Sequence, residues 1–245
     1  MTEQNEFYAP ERVLVIVAHA DDIEFGMAGT VARWTEAGTQ VTYCIVTDNS
    51  SGSNDPETNL AELSQTRHDE QVAAAKVVGV EDVRFLNYRD GVLQPTVDLR
   101  RDLTRVIRQV RPQIVVTMDP TIMFAMSNNY INHPDHRAAA EAAVHAVFPS
   151  AETRPIFPEL LDEGLEPHRV KKLYLHFTEQ PTLYVDVTAT WQRKIEALLC
   201  HKSQVGEDVA DFIREWNAQA GEAIGVELAE AFRVITVNPD EVPVD

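Results

Sequence analysis

Short, unbroken apolar runs alternate with longer segments of helical spacing along this chain. Val13–Ala18 (VLVIVA) is continuous and rich in β-branched residues, the mark of a strand covered on both faces. Gly26–Gly38 then has helical periodicity and closes on a glycine, and Val41–Thr47 (VTYCIVT) is a second strand. The polar, Gly/Pro/Asn-rich stretch Asp48–Asn59 is a loop, long enough for a compact domain that a functional role is expected of it. A long helix is predicted over Leu60–Val78, a strand over Val83–Leu86, a helix over Leu99–Val110 and a fourth strand over Ile114–Thr117. After a polar loop, helix resumes over Arg137–Phe148. Val170–Phe177 and Leu183–Val187 read as strands, and Trp191–Lys202 and Val209–Gly221 as helices. Ala229–Val237 fits either a strand or an irregular closing segment.

Strand–helix alternation over the first 150 residues implies an α/β fold. The expected sheet is mostly parallel with helices on both faces, followed by extra C-terminal strands and helices. The Pro-rich piece Pro149–Pro167 is the best boundary candidate, and we read it as a surface connection within a single domain spanning 1–245. Sheets of this kind place ligands at the carboxyl ends of strands where the strand order reverses. In the common doubly wound order the first and fourth strands are neighbours there. His19–Glu24 follows the first strand and His133–His136 follows the fourth, so the two segments are expected to meet at one crevice.

Both segments are dense in chemistry. In Ala18-His19-Ala20-Asp21-Asp22-Ile23-Glu24 the side chains of His19 and Asp22 lie three positions apart, and a loop coiling into a helix would bring them to one side. Imidazole and carboxylate suit zinc and similar divalent metals, and Asp21 would point elsewhere, free for proton transfer. The same carboxylates would also serve as ordinary helix caps, stabilising by about 0.3–1 kcal/mol. In His133-Pro134-Asp135-His136, Pro134 suits the first helical position, which makes His133 a flanking residue and puts His136 in the first turn. Two His and one Asp with one open position is a catalytic-zinc composition. A carboxylate off the metal can take a proton from water, and a protonated His near a carbonyl can stabilise an oxyanion. The absence of G-x-G-x-x-G after the first strand argues against a dinucleotide-binding oxidoreductase.

Composition narrows the partners. The formal charge is −18, from 21 basic and 39 acidic residues, a field that repels nucleic acid and anionic membrane. Cys44 and Cys200 are far apart with no CxxC, so neither a disulfide framework nor a thiolate metal site is expected. The polar N-terminus (MTEQNEFYAPER) lacks an apolar signal core and no run reaches the length of a membrane span, so a cytoplasmic location without membrane insertion is expected. A homo-oligomer is compatible with this sequence.

These residues resemble the PIG-L/LmbE-like family of zinc N-deacetylases. The likeness rests on Ala18-His19-Ala20-Asp21-Asp22-x-Glu24 and His133-Pro134-Asp135-His136. It is supported by Arg67-x-x-Glu70-Gln71, Tyr88-Arg89-Asp90-Gly91, Lys194–Gln204 (KIEALLCHKSQ) and Ala229–Phe232. It implies a Rossmann-like fold and hydrolysis of an acetamido group, typically on an N-acetylglucosamine unit of a small amino-sugar conjugate. By motif position it implies His19, Asp22 and His136 as ligands of Zn2+ or another divalent metal. It implies Asp21 as general base, His133 as the group that stabilises the oxyanion or protonates the amine, and Asp135 as the partner that orients a histidine. Arg67 and Asp90 match positions that contact substrate hydroxyls. The alternative within the resemblance is an amidase cleaving a larger acyl or thiol-conjugate amide. The sequence departs from the family pattern at Ala20, where proline is usual, at Arg89, where proline is common, and in the loop after the second strand, which lacks the usual Gly-Glu.

Other candidates read more plainly. Arg67 and Glu70 could equally form a surface pair. His68, His145, His168 and His176 are expected to be structural, His201 is open between structure and a position at the pocket rim, and Trp34, Trp191 and Trp216 are expected to pack rather than bind sugar.

Overall fold

A computed structural model describes residues 7–125, 129–206 and 208–239. Half of the polar N-terminal stretch therefore lies outside the described residues. The strands are β1 (Arg12–Val17), β2 (Gln40–Thr47), β3 (Asp82–Tyr88), β4 (Ile114–Met118), β5 (Phe124–Ala125), β6 (Tyr130–Ile131), β7 (Lys172–His176), β8 (Leu183–Asp186) and β9 (Ala229–Thr236). The α-helices are α1 (Asp22–Gly26), α2 (Ala28–Glu36), α3 (Leu60–Val77), α4 (Val97–Val110), α5 (Pro134–His145), α6 (Glu159–Asp162), α7 (Trp191–Leu198) and α8 (Val209–Glu222).

Seven strands form one sheet in the order β3-β2-β1-β4-β7-β9-β8. The first five of these run parallel, and β9 lies antiparallel between β7 and β8. The chain winds outward from β1 to β3, then returns past β1 to β4, so the order reverses between β1 and β4, which are paired as expected.

Side chains alternate across a strand, so a strand covered on both faces must be apolar throughout. In β1, Val13, Val15 and Val17 join Trp34, Tyr43 and Ala74 on one face, while Leu14 and Ile16 join Leu99, Leu103 and Ala139 on the other. Helices α2, α3 and α7 therefore cover one face, and α4 and α5 the other. Each fully buried aliphatic side chain there contributes roughly 1.5–3 kcal/mol. Helix starts are set locally. Asn59 caps α3 by accepting from Ala61 N, and Thr96 caps α4 by accepting from Leu99 N at 3.2 Å.

Two expectations need correcting. The single helix over Gly26–Gly38 is two helices, starting earlier and breaking at Met27 (φ −154°, ψ 10°). Gly26 sits so close to the His176 ring that a Cβ there would lie 2.4 Å from Nδ1, which the glycine alone accommodates. The polar loop after β4 contains the short β5–β6 hairpin, too brief to leave a periodic signal. Of the two readings open for the closing segment, the structure has the strand, β9, inserted into the sheet.

Candidate active site

The end of β1 turns sharply into α1. Asp21, the N-cap, has φ 89°, in the left-handed region where Asp is among the few side chains tolerated. Such a backbone costs of order 1–3 kcal/mol unless its surroundings fix it. Here three successive amides are each held by a side chain: His19 N–H donates to Asp22 Oδ2 (2.9 Å), Ala20 N–H to Asn49 Oδ1 (2.7 Å) and Asp21 N–H to Gln71 Oε1 (3.1 Å). The turn separates Asp21 from Asp22. Asp22 is buried against two histidines, while the Asp21 carboxylate lines a cavity and no hydrogen bond among the described residues engages it.

Pro134 opens α5, and His133 caps it, its Nδ1 accepting from Asp135 N–H at 3.2 Å. One turn in, His136 reaches the end of β1. Its Nε2 is 3.1 Å from His19 Nδ1 and 3.0 Å from Asp22 Oδ1, and Asp22 Oδ2 is 3.9 Å from His19 Nδ1. His136 Nδ1 is 3.0 Å from Asn132 Oδ1, an acceptor, so the ring carries its proton on Nδ1 and turns a lone pair on Nε2 toward His19 and Asp22. His19 Nε2 lies between Asp90 Oδ1 (3.0 Å) and Asp135 Oδ2 (3.5 Å), shared by the two carboxylates rather than aligned on either. A proton on Nε2 leaves the His19 Nδ1 lone pair facing that of His136.

Three side chains able to offer an electron pair to a cation thus converge. Ligand atoms around a tetrahedral zinc with bonds near 2.1 Å stand roughly 3.4 Å apart. The two ring nitrogens stand 3.1 Å apart, with one Asp22 oxygen 3.0 Å from His136 and the other 3.9 Å from His19, separations near that value. The His19, Asp22 and His136 set therefore fits a divalent metal. His133 brings a third imidazole close enough to form an alternative three-histidine group with His19 and His136.

The neighbouring carboxylates favour protons on these imidazoles, protons that a bound divalent cation would displace. Burial would lower the His19 pKa, but its hydrogen bonds to the Asp135 and Asp90 carboxylates outweigh it and push His19 up to about 10. Burial would raise Asp22, but His136 outweighs it and holds that carboxyl well below the usual range. Burial, reinforced by the charge on Asp22, pushes Asp21 up to about 8. Burial and the two neighbouring histidines lower His133. With Nδ1 accepting from Asp135 N–H, that ring bears its proton on Nε2 and remains a donor.

Asp135 is fully buried and accepts from Gly91 N–H (2.7 Å) and Leu93 N–H (3.0 Å), which fixes the loop after β3 beside His19. Asp90, expected at substrate hydroxyls, has one oxygen on His19 and the other accepting from Ser51 N–H at 2.9 Å, so a hydroxyl would compete with partners it already has. Arg67 is buried and lines the cavity. It donates to Asn49 O at 3.2 Å, lies against Gly52 and keeps its Nε without a partner. Arg67 and Glu70 are not paired with each other. Glu70 instead accepts from Ser203 N–H (2.8 Å) and Oγ–H (2.6 Å).

Sequence reasoning missed a buried layer behind Asp21. Gln71 Nε2 donates to both oxygens of Glu24 (3.1 and 3.2 Å), and His201 Nε2 is 3.1 Å from Glu24 Oε2. His201 is therefore fully buried, not at a rim. The i, i+2 spacing of Asp22 and Glu24 was the available signal, but Gln71 and His201 lie 47 and 177 residues from Glu24. His176, expected to be structural, is buried where it lines the cavity; burial lowers its pKa to about 4, and neither ring nitrogen has a partner. His68 stacks on Phe85 and His168 meets Pro112 O at 2.7 Å, structural roles as expected. Cys44 and Cys200 are both free thiols. Trp216, expected to pack only, also lines the cavity, which has a volume of about 550 Å³.

Comparison with known proteins agrees with this geometry. The family model described as "PIG-L: GlcNAc-PI de-N-acetylase" matches residues 14–147, which include every donor of the convergent set. The chain is 33% identical over 230 residues to a diacetylchitobiose deacetylase of Thermococcus kodakarensis, covering 92% of this chain and 83% of that one. It is 28% identical over 220 residues to a probable N-acetyl-α-D-glucosaminyl L-malate deacetylase 2 of Bacillus anthracis, covering 86% of this chain and 89% of that one. Among solved structures, the N,N'-diacetylchitobiose deacetylase of Pyrococcus horikoshii superposes with a TM-score of 0.87 at 32% identity, covering 96% of this chain and 88% of that one. By the match over more than half its length, and by relatives that follow it nearly end to end, the chain belongs to the PIG-L family of de-N-acetylases.

Proposed function

We propose that this protein is a zinc-dependent hydrolase that removes the acetyl group from an N-acetylated amino sugar, with His19, Asp22 and His136 as the metal ligands. The observation that carries the reading is the convergence of three lone-pair donors at tetrahedral spacing beside an unengaged carboxylate. The similarity to deacetylases of N-acetylglucosamine compounds supplies the bond to be broken. Two imidazoles and one carboxylate favour zinc over the hard cations, which prefer all-oxygen sites.

A divalent cation held there lowers the pKa of water, polarises an amide carbonyl and offsets the Asp22 charge that helps to hold the Asp21 carboxyl up. The chain's own groups do the rest. Asp21 takes the proton of the attacking water as the new C–O bond forms at the amide carbon. His133, neutral with its proton on Nε2, donates to the oxygen of the tetrahedral adduct. The proton held by Asp21 is then available to the nitrogen as the C–N bond breaks, giving acetate and a free amine. Asp135 and Asp90 fix the His19 ring, and Asn132 fixes the His136 ring. Arg67, with its unpartnered buried Nε, is the side chain best placed to meet a sugar hydroxyl.

The site draws on residues from His19 to Trp216, so we take 1–245 as one functional unit. No helix of the described residues is long and apolar enough to cross a membrane. We place the enzyme in the cytoplasm, a reducing setting that leaves both cysteines free. The test is metal analysis of the purified protein, together with a panel of N-acetylated and longer-chain N-acylated amino sugars assayed for the acid released. Bound zinc with acetate as the main product supports the reading. Release of longer acids in preference to acetate would move it to a general amidase.

A further inference from the structure

Strand β7 ends on His176, which pairs in register with Met118, the last residue of β4. The histidine is 1% exposed and lines the cavity, yet neither ring nitrogen has a hydrogen-bond partner among the described residues. Its carbonyl accepts from Asp119 N–H at 2.9 Å, so the backbone is tied down and the side chain alone is left unsatisfied. Phe25, Met118 and Phe177 line the same cavity with apolar side chains.

Packing does not account for an imidazole at this position. A buried polar group left unpaired destabilises a fold, and an apolar side chain of similar size would fill the space without that cost. The ring also constrains α1. A Cβ on Gly26, the last residue of that helix, would stand 2.4 Å from Nδ1 and 2.8 Å from Cε1. The same short helix opens with Asp22, so the segment that carries this site residue forgoes a side chain to leave room for the ring. Buried polar groups without a protein partner mark places that a ligand or a water completes.

The chemistry of the ring narrows the partner. Nδ1, Cε1 and Cγ are the ring atoms nearest Gly26, which leaves Nε2 as the nitrogen to meet a ligand. Burial holds the His176 pKa down to about 4, although Asp22 and Asp119 pull the other way, so the ring is neutral near pH 7. A neutral imidazole gives no counter-charge to a carboxylate or phosphate. It has one N–H and one lone pair, and the partner decides which of them sits on Nε2. A hydroxyl both donates and accepts, so it satisfies Nε2 in either tautomer. A carboxylate only accepts, and an ammonium only donates. The amide oxygen of the substrate is already assigned to the metal and His133, and the neutral groups that remain on an amino sugar are its hydroxyls.

We propose that His176 is a substrate-binding residue whose Nε2 shares a hydrogen bond with one hydroxyl of the N-acetylated sugar. A site built to bond a hydroxyl discriminates against the analogue that lacks it, so His176 selects among amino sugars by that hydroxyl. This rests on the N-deacetylase reading above and adds a specificity residue to it.

The test measures kcat/KM for N-acetylglucosamine and its 3-deoxy, 4-deoxy and 6-deoxy analogues in zinc-loaded wild type and His176→Leu. The variant should turn over the parent sugar about tenfold less efficiently, the worth of one good hydrogen bond. One analogue should show the same loss in wild type and no further loss in the variant, while the effects of the other two persist unchanged. His176→Gln, which keeps a donor and an acceptor, should recover part of the rate. His176→Met repeats the comparison with a flexible side chain, which guards against a folding defect in the leucine variant. A rate on the parent sugar unchanged in both apolar variants, or a proportional loss common to all four sugars, would overturn the proposal and leave His176 with a resident water only. If no sugar releases acetate, the N-deacetylase reading fails, and calorimetric titration of N-acetylglucosamine into zinc-loaded wild type and His176→Leu decides the contact. Weaker binding in the variant supports it; equal affinity, or no binding to either protein, refutes it.

Discussion

The side-chain oxygen of Asn132 sits 3.0 Å from Nδ1 of His136, and this contact decides which nitrogen of His136 faces the candidate metal centre. The Asn132 amide is itself tied to Ile122 O at 2.9 Å, so it is fixed as an acceptor toward the ring. Losing a group that orients a metal-bound histidine typically costs about 10–100-fold in metal affinity. Asn132→Ala should therefore weaken zinc binding by about that factor, measured by competition with a chelator, while His136→Ala should abolish stoichiometric binding. Unchanged affinity in Asn132→Ala would mean that the His136 ring is oriented by something else.

Asp21 separates binding from turnover. Its carboxylate faces the cavity while Asp22 is committed to His136. Asp21→Asn should keep the fold and a full complement of metal yet lose about 10²–10⁴-fold in kcat, the usual worth of a positioned proton-transfer group. Near-full activity in this variant would show that the base lies elsewhere.

Gln71 joins the Asp21 turn to the buried Glu24. Gln71→Leu leaves the Asp21 amide and one edge of Glu24 without partners, and each such buried group costs about 1–3 kcal/mol. At about 2–4 °C per kcal/mol for a chain of this size, Tm should fall by several degrees. Because the lost contacts hold the left-handed turn, kcat should fall as well. A drop in Tm with kcat intact would make Gln71 a purely structural residue.

Lys194 and Glu230 form a fully buried ion pair at 2.7 Å that binds α7 to β9, while the other Glu230 contacts anchor the start of α2 through Gly29 N–H (3.0 Å) and Thr30 N–H (2.7 Å). Breaking such a pair from one side costs about 3–5 kcal/mol, because the remaining charge is buried alone. Lys194→Met should show that loss in denaturant unfolding, and Lys194→Met/Glu230→Gln should recover most of it. A double variant no better than the single one would mean that packing of the lysine stem, rather than charge, supplies the stability.

Legibility followed sequence distance. The pairing of β1 with β4 was readable because continuous apolar runs separated by helices leave few arrangements, and that pairing carries His136 to His19. Pro134 fixed the start of α5, and with it the one-turn offset of His136 from His133. The contacts of Glu24 with Gln71 and His201 were not readable, since nothing local distinguishes a buried glutamate with distant partners from a helix cap. Asp90 was placed at the site, but its neighbour is His19, a relation set by the loop after β3 and fixed by Asp135. Trp216 lies on an amphipathic helix whose pattern fits packing equally well, and only the position of α8 over the cavity reveals its second face. The break between α1 and α2 depends on the closeness of Gly26 to His176, which lies 150 residues later in the chain.

The central claim is that metal held by His19, Asp22 and His136 drives the removal of an acetyl group. Its most direct test is to strip the protein with a chelator, titrate zinc back and follow acetate release from N,N'-diacetylchitobiose. Activity should be negligible without metal, rise linearly and level off at one equivalent of zinc, with Asp22→Ala failing to respond. Acetate release that persists undiminished in metal-free protein would contradict the account.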